Sequence, residues 1–270
     1  MAEEARMDPV QGARSFQVSG DAYGLLHGSA LRLSADVSSS TRWTSATWRR
    51  CSTWAVTGRS GPPRFVRCFG SSVVACDPSP SFVADCAERH PGVEVRLGRA
   101  EAIPYDDESV DAVLAQLVFH FVSDPELVVS ELRRVVRPGG LVAGCVWDYA
   151  EGMELLRAFW DAALELDPDA PDEARSLRFG KPGEIVELLD GAGFVDSREW
   201  TLRVTSTYVD FDELWAGFMQ GIGPAGSYCV GLAPVARLAL RSTMFRGLGE
   251  PAGPFTLSAL ARAASARRPT

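Results

Sequence analysis

Two apolar runs in this chain end on polar side chains suited to chemistry. Val73-Val74-Ala75-Cys76 runs into Asp77, and Ala112-Val113-Leu114-Ala115 runs into Gln116. A short apolar run of this kind is fit for a strand covered on both faces. In a doubly wound sheet, ligands bind beyond the carboxyl ends of such strands. Asp77 would point its carboxylate into that crevice, where it can accept two hydrogen bonds from a ribose diol. The competing reading makes Asp77 a cap for a helix over 79–89, and the diol contact is preferred. Gln116 to Phe121 would line the same crevice. His120 could act as a base there, but its place between Phe119 and Phe121 reads as that of a packed side chain.

The elements that must position these residues follow from the spacing. A helix over 79–89 is followed by the turn His90-Pro91-Gly92, and Val93, Val95 and Leu97 then alternate with polar residues as in a strand. A polar loop, 104–109, leads into a strand over 110–115. Asp124 is a good N-cap, with Pro125 at the first helical position and Glu126 in the first turn. Val128, Leu132, Val135 and Val136 fall on one face of the helix 125–136. Pro138-Gly139-Gly140 should end that helix ahead of a buried strand over 141–147. Strands alternating with helices imply βαβ units and a parallel sheet. The expected fold class is α/β, a doubly wound, mostly parallel sheet with a helical covering region.

The second half is less regular. Helices are expected over 153–166, 182–190, 211–220 and 234–248, and a strand over 200–208. The extended Pro254-Phe255-Thr256-Leu257 would start a last strand, and 265–270 reads as a frayed tail.

Composition narrows the function classes. The net charge of −8 argues against a nucleic-acid partner, since phosphate binding needs a basic surface. No apolar run is long enough to cross a bilayer, and the acidic start Met1-Ala2-Glu3-Glu4-Ala5-Arg6 lacks the apolar core of a secretion signal. A soluble, cytoplasmic protein is expected. The six cysteines form no CxxC and no spaced Cys/His cluster, so no metal site is expected. Lys181 is the only lysine among 27 Lys and Arg residues, a skew that suggests a GC-rich, bacterial genome.

Three segments together resemble a known family. Val73-Val74-Ala75-Cys76-Asp77-Pro78-Ser79, Gly98-Arg99-Ala100-Glu101-Ala102-Ile103-Pro104-Tyr105 and Arg134-Val135-Val136-Arg137-Pro138-Gly139-Gly140 look like class I S-adenosylmethionine-dependent methyltransferases of the type-11 group. They occur in that family's order and spacing across about 72–148. The resemblance implies S-adenosylmethionine as cofactor, a small-molecule acceptor, and cofactor contacts at Asp77, Pro78, Arg99, Ala100, Glu101 and Gln116. Asp77 would bind the ribose hydroxyls, Ala100-Glu101 would flank the adenine, and Gln116 would lie near the methionine moiety. Arg99 stands where many members carry an acid that contacts the adenine amine. The resemblance names no catalytic residue.

The first glycine-rich motif of that family departs here. Trp54-Ala55-Val56-Thr57-Gly58-Arg59-Ser60-Gly61-Pro62-Pro63 keeps two glycines, but no acid precedes them and the prolines remove N–H donors. Residues 24–70 hold seven arginines and one acid, and their balance of +6 leaves −14 for the remainder. Residues 25–69 therefore read as translated out of frame. Read one nucleotide earlier, Ser52-Thr53-Trp54-Ala55 can encode Asp-Val-Gly, the expected motif. The window lacks any sustained period, so its local signals conflict, and it should be the least ordered part of the chain. The organisation is then an N-terminal segment 1–24, an anomalous region 25–71 in place of the first strand, glycine loop and first helix, a cofactor-binding core 72–148, and a covering half 149–270 completing the same domain. Methyl transfer is the leading function. The alternatives are a catalytically dead relative and a nicotinamide-dependent oxidoreductase, although G-x-G-x-x-G is absent.

Overall fold

The computed structural model describes residues 50–54, 72–89 and 91–270. Seven strands form one sheet: β1 (Arg50–Trp54), β2 (Ser72–Asp77), β3 (Glu94–Leu97), β4 (Val110–Gln116), β5 (Val136–Trp147), β6 (Val195–Tyr208) and β7 (Phe255–Arg267). Their order across the sheet is β3-β2-β1-β4-β5-β7-β6. β1 to β5 run parallel, and β7 enters antiparallel between β5 and β6. The expected parallel arrangement of the four predicted strands is what the fold adopts. A dinucleotide-binding sheet of order 3-2-1-4-5-6 has no such antiparallel insertion, so the oxidoreductase alternative finds no support in the topology.

β1 was not expected. Its residues carry no sheet periodicity, yet they lie between β2 and β4, with Ser52 opposite Val74 on one side and Val113 on the other. A slot hydrogen-bonded on both edges accepts residues that propensity alone would not place there. The rest of the anomalous window, including the expected disorder and the missing glycine loop at 57–63, lies outside the described residues.

Helix α1 (Pro80–Arg89) links β2 to β3, and α2 (Pro125–Val135) links β4 to β5. Asp124 caps α2 by accepting a hydrogen bond from Leu127 N at 2.9 Å, and Val128, Val129, Leu132 and Val135 are buried against the sheet. The helix runs straight into β5, which begins at Val136 and not at 141. Pro138-Gly139-Gly140 is therefore a bulge inside the strand, where the pairing with β4 shifts register between Val110 and Ala112. Gly139 adopts φ +73°, and a Cβ at Gly140 would meet Asp111 O at 2.7 Å, so both positions require glycine.

Two more boundaries differ. β6 starts five residues ahead of the expected strand, because 195–199 lies on an exposed sheet edge where no apolar alternation is needed. The expected frayed tail is the end of β7: Ser265 is buried and pairs with both Ala143 and Arg198. Alanines at 263, 264 and 266 fill this strand, and between two neighbours they need no large side chains to be fully buried.

The cover over the other face consists of α3 (Glu154–Leu166), α4 (Glu173–Ser176), α6 (Phe211–Phe218), α7 (Gly223–Gly231) and α8 (Pro234–Gly247), whereas α5 (Glu184–Gly191) packs beside α2 through Ile185 and Leu189. Phe159 of α3 is completely buried and stacks on Phe218 at 4.5 Å. Beside it, Trp160 Nε1 donates to Glu173 Oε2 at 2.8 Å, while Arg157 donates two hydrogen bonds to Asp172 Oδ2. Burial pushes the Glu173 carboxyl up to about 7, against the Trp160 hydrogen bond. Because the folded value exceeds the unfolded one, the charged side chain weakens the fold increasingly as pH rises from about 4.5 to 7. Glu173→Gln should therefore raise stability at pH 8 by up to about 3 kcal/mol and leave it unchanged near pH 4. Urea melts of both proteins at the two pH values check this, and an equal effect at both would contradict it.

Candidate functional site

The parallel strands bring their carboxyl ends to one edge of the sheet, and the predicted site residues stand along it. Asp77 ends β2 and is only 4% exposed. Its Oδ1 accepts a hydrogen bond from Ser79 N at 2.8 Å, just ahead of α1, so the capping role is real. Oδ2 has no hydrogen-bond partner among the described residues. The carboxylate thus steadies the start of the helix and keeps an acceptor in reserve. Burial raises its pKa to about 6, partly offset by the Ser79 hydrogen bond. Pro78 follows on the surface.

The loop after β3 is fastened to that strand end. Gly98 N donates to Asp77 O at 3.1 Å, and a Cβ on Gly98 would sit 2.5 Å from Pro104 Cδ, so only glycine fits. Arg99 reaches Ser123 Oγ at 3.4 Å and Glu101 Oε2 at 3.6 Å. Glu101 Oε1 accepts from Ser123 N at 2.8 Å, which ties the loop after β3 to the one that precedes α2. Ala100 is half-buried against the core under these loops. Behind them Arg134 clamps the polar loop, donating to Ile103 O, Tyr105 O, Asp107 and Glu131. The structure therefore joins Asp77, Arg99, Ala100 and Glu101 into one connected rim.

Gln116 stands apart from that rim. It ends β4, and β1 lies between β4 and β2. Two strand spacings put it about 10 Å from Asp77 across the sheet. Leu117 then takes φ +57°, unusual for a residue with a bulky side chain, with its N–H donating to Cys145 O at 2.8 Å. This turn carries the chain into the short 3-10 turn Phe119–Phe121.

His120 on that turn is buried, as its place between Phe119 and Phe121 predicts. Its Nδ1 lies 2.6 Å from Arg178 O, and Nε2 has no hydrogen-bond partner. Burial drives its pKa down to about 4, against the Arg178 and Trp147 carbonyls. Nearby, Asp148 beyond β5 accepts from Arg262 Nη2 at 2.9 Å and from Glu151 N at 3.0 Å. Arg178 and Arg262 could not be linked to this edge from sequence, since each lies far along the chain from the residue it meets. Among the described residues no group of three or more His, Cys, Asp or Glu side chains is arranged to hold a metal, and no helix is long and apolar enough to cross a membrane.

Comparison with known proteins bears on this geometry. A family model described as a methyltransferase domain matches residues 57–144. An uncharacterized methyltransferase of Mycobacterium tuberculosis is 46% identical over 79 residues, which is 29% of this chain and 32% of that protein. The chain thus matches about a third of the length of that curated relative. Among solved structures, a phosphoethanolamine N-methyltransferase 2 of Haemonchus contortus, in complex with phosphomonomethylethanolamine and S-adenosylhomocysteine, superposes with a TM-score of 0.56 at 16% identity. The alignment covers 88% of this chain and 53% of that one. The [4+2]-cyclase SpnF superposes with a TM-score of 0.51 at 18% identity, covering 89% of this chain and 81% of the other. Likeness at this identity concerns the fold alone. Residues 57–144 are thus similar to a methyltransferase domain, and the fold is shared with the superposed structures.

Proposed function

We propose that the domain transfers a methyl group from S-adenosylmethionine to a small-molecule acceptor, and that the chain as written holds this cofactor weakly. The observation that carries the reading is Asp77: a buried carboxylate at the end of β2, with one oxygen spent on Ser79 N and the other without a hydrogen-bond partner among the described residues. That donor-poor acceptor suits a ribose diol. We assign Asp77 to the ribose hydroxyls, Pro78, Arg99, Ala100 and Glu101 to the adenine side, and Gln116 to the methionine side. Glu101 and Arg99 act through the rim they build with Ser123. When bound, S-adenosylmethionine supplies an electrophilic methyl group on a sulfonium. The chain's own work is to orient the two reactants and exclude water, which can carry much of the rate in a displacement of this kind. The core 72–148 holds the cofactor and 149–270 covers the acceptor. A soluble, cytoplasmic enzyme without nucleic-acid or membrane partners is part of the same proposal.

The experiment is a calorimetric titration with S-adenosylmethionine of a chain whose glycine loop has been restored. Asp77→Ala should weaken binding by roughly 1.5–3 kcal/mol, the scale of hydrogen bonds to a charged group. Hydrogen bonds from a diol favour the charged carboxylate, so affinity should also fall as pH drops below about 6 in Asp77 chains only. Equal affinity with and without the carboxylate would reduce Asp77 to a cap.

A further inference from the structure

We propose that the outer edge of β6 pairs antiparallel with the same strand of a second copy of this chain, about a two-fold axis at Thr201. The pairing concerns assembly and stands independently of the methyl-transfer reading. Among the described residues β6 pairs with β7 alone, so its other edge has no strand beside it. Native proteins blunt such edges by keeping the strand short, by lysine or proline, or by bulges. β3, at the opposite edge of the sheet, is four residues long, and its charged side chains Glu94 and Arg96 pair with each other. β6 is 14 residues long and holds neither lysine nor proline. Its pairing with β7 shifts register only at the start, between Val195 and Arg198, and runs regularly from there to Tyr208.

The side chains select a second copy as the occupant. Glu199, Thr201, Arg203 and Thr205 are exposed on one face of the strand. Glu199 Oε1 accepts from Gly183 N at 2.9 Å and Arg203 Nη1 donates to Ser258 Oγ at 3.1 Å, but among the described residues neither has an ion-pair partner. In an antiparallel pair centred on Thr201, Glu199 stands directly opposite Arg203 of the second copy. The two-fold repeats that contact, which gives two ion pairs for one match in sequence. Thr201 meets its own counterpart, and on the other face Trp200 stands opposite Leu202. Opposite charges placed directly across a strand pair stabilise it, and like charges destabilise it. A pair centred on Glu199 or on Arg203 would set that residue against itself, so the charges also fix the register. The charged residues of the strand, Asp196, Arg198, Glu199 and Arg203, cancel in a chain of net charge −8. This edge therefore meets its copy without the repulsion carried by the rest of the chain.

The neighbouring helix leaves room for the pairing. α5 is tied to the first part of β6, where Glu199 accepts from Gly183 N and the Ser197 hydroxyl donates to Asp190. An axis at Thr201 puts α5 and its copy over opposite ends of the paired strands, so they do not meet. Residues 198–204 then exchange roughly six to eight backbone hydrogen bonds with the second copy, because opposed residues form bonded pairs at every other position.

Sedimentation velocity on the full chain at micromolar concentration should show a species of twice the 29.1 kDa chain mass. Arg203→Glu places two carboxylates against each other at both contacts and should weaken the dimer about tenfold or more. Glu199→Arg should do the same. The double exchange, Glu199→Arg with Arg203→Glu, should restore the dimer, an outcome that misfolding of either single variant cannot imitate. Thr201→Lys, at an exposed position on the axis, should yield monomers with an unchanged circular dichroism spectrum. A monomeric parent chain overturns the proposal, as does a dimer that survives both Arg203→Glu and Thr201→Lys. A folded double variant that stays monomeric overturns it as well.

Discussion

Replacing the segment after β1 so that the strand ends on Asp-Val-Gly and continues into a glycine loop should tighten S-adenosylmethionine binding at least about a hundredfold, from weak or undetectable into the micromolar range. The reasoning begins with what such a loop supplies. Glycines let the backbone approach a ligand closely and turn successive N–H groups towards it, and an acid at the strand end adds a charged acceptor. The present residues give neither: Trp54 ends the strand, and Pro62-Pro63 lack N–H groups. Each lost hydrogen bond to a charged group costs about 1.5–3 kcal/mol, so losing two is worth a hundredfold or more. β1 occupies the central slot between β2 and β4. β1 pairs with β2 and β4 in the slot where the shifted reading of Ser52 to Ala55 gives Asp-Val-Gly, which supports the out-of-frame proposal. Calorimetry on both chains decides the matter. Micromolar binding by the unmodified chain would contradict both the frameshift and the assignment of this segment.

Deleting residues 265–270 should cost about 3–5 kcal/mol, although these residues resemble a dispensable tail in sequence. Ser265 to Arg267 pair with Leu141 to Ala143 on one side and reach Val195 and Arg198 on the other. Arg268 adds an N–H donated to Gly140 O at 2.9 Å, and its carbonyl accepts from Gly139 N at 2.9 Å. Its guanidinium donates to Val136 O at 2.7 Å and to Glu108 at 2.8 Å. At about 1 kcal/mol net for each hydrogen bond, with the solvent screening of the exposed Glu108 pair discounted, the sum reaches that range. Chemical denaturation of the truncated chain measures it. A change below about 1 kcal/mol would show that the end of β7 is ornamental.

The parts of the fold that were legible in the sequence are those whose side chains must be large and apolar. β2, β4 and α2 announce themselves because Val74, Val113, Val128 and Leu132 are buried on a fixed period. The end of β7 does not, because alanines between two strands show no alternation. Helix α7 was hidden for a related reason: it is rich in glycine, and Gly226 is pressed so near Gly221 that a Cβ would lie 2.9 Å from its carbonyl carbon. The Pro-Gly-Gly bulge was misplaced because its signals are those of a turn, and only the pairing with β4 distinguishes the two. At the site, Asp77 and the loop 98–101 could be read from local order. The Arg178 contact with His120 spans 58 positions and runs through a carbonyl, which every residue possesses.

The placement of β7 also governs the order of events during synthesis. Among the described residues β6 has no neighbour in the sheet except β7, and β5 has only β4 on its other side. Until residues 255–267 leave the ribosome, a nascent chain carries two long strands with open edges, and those edges invite pairing with other chains. At roughly 5–20 residues per second that exposure lasts for seconds after β5 has been made. The half of the sheet built from β5, β7 and β6 is thus the last to close, and a holdase that shields strand edges would act on this protein chiefly in that interval.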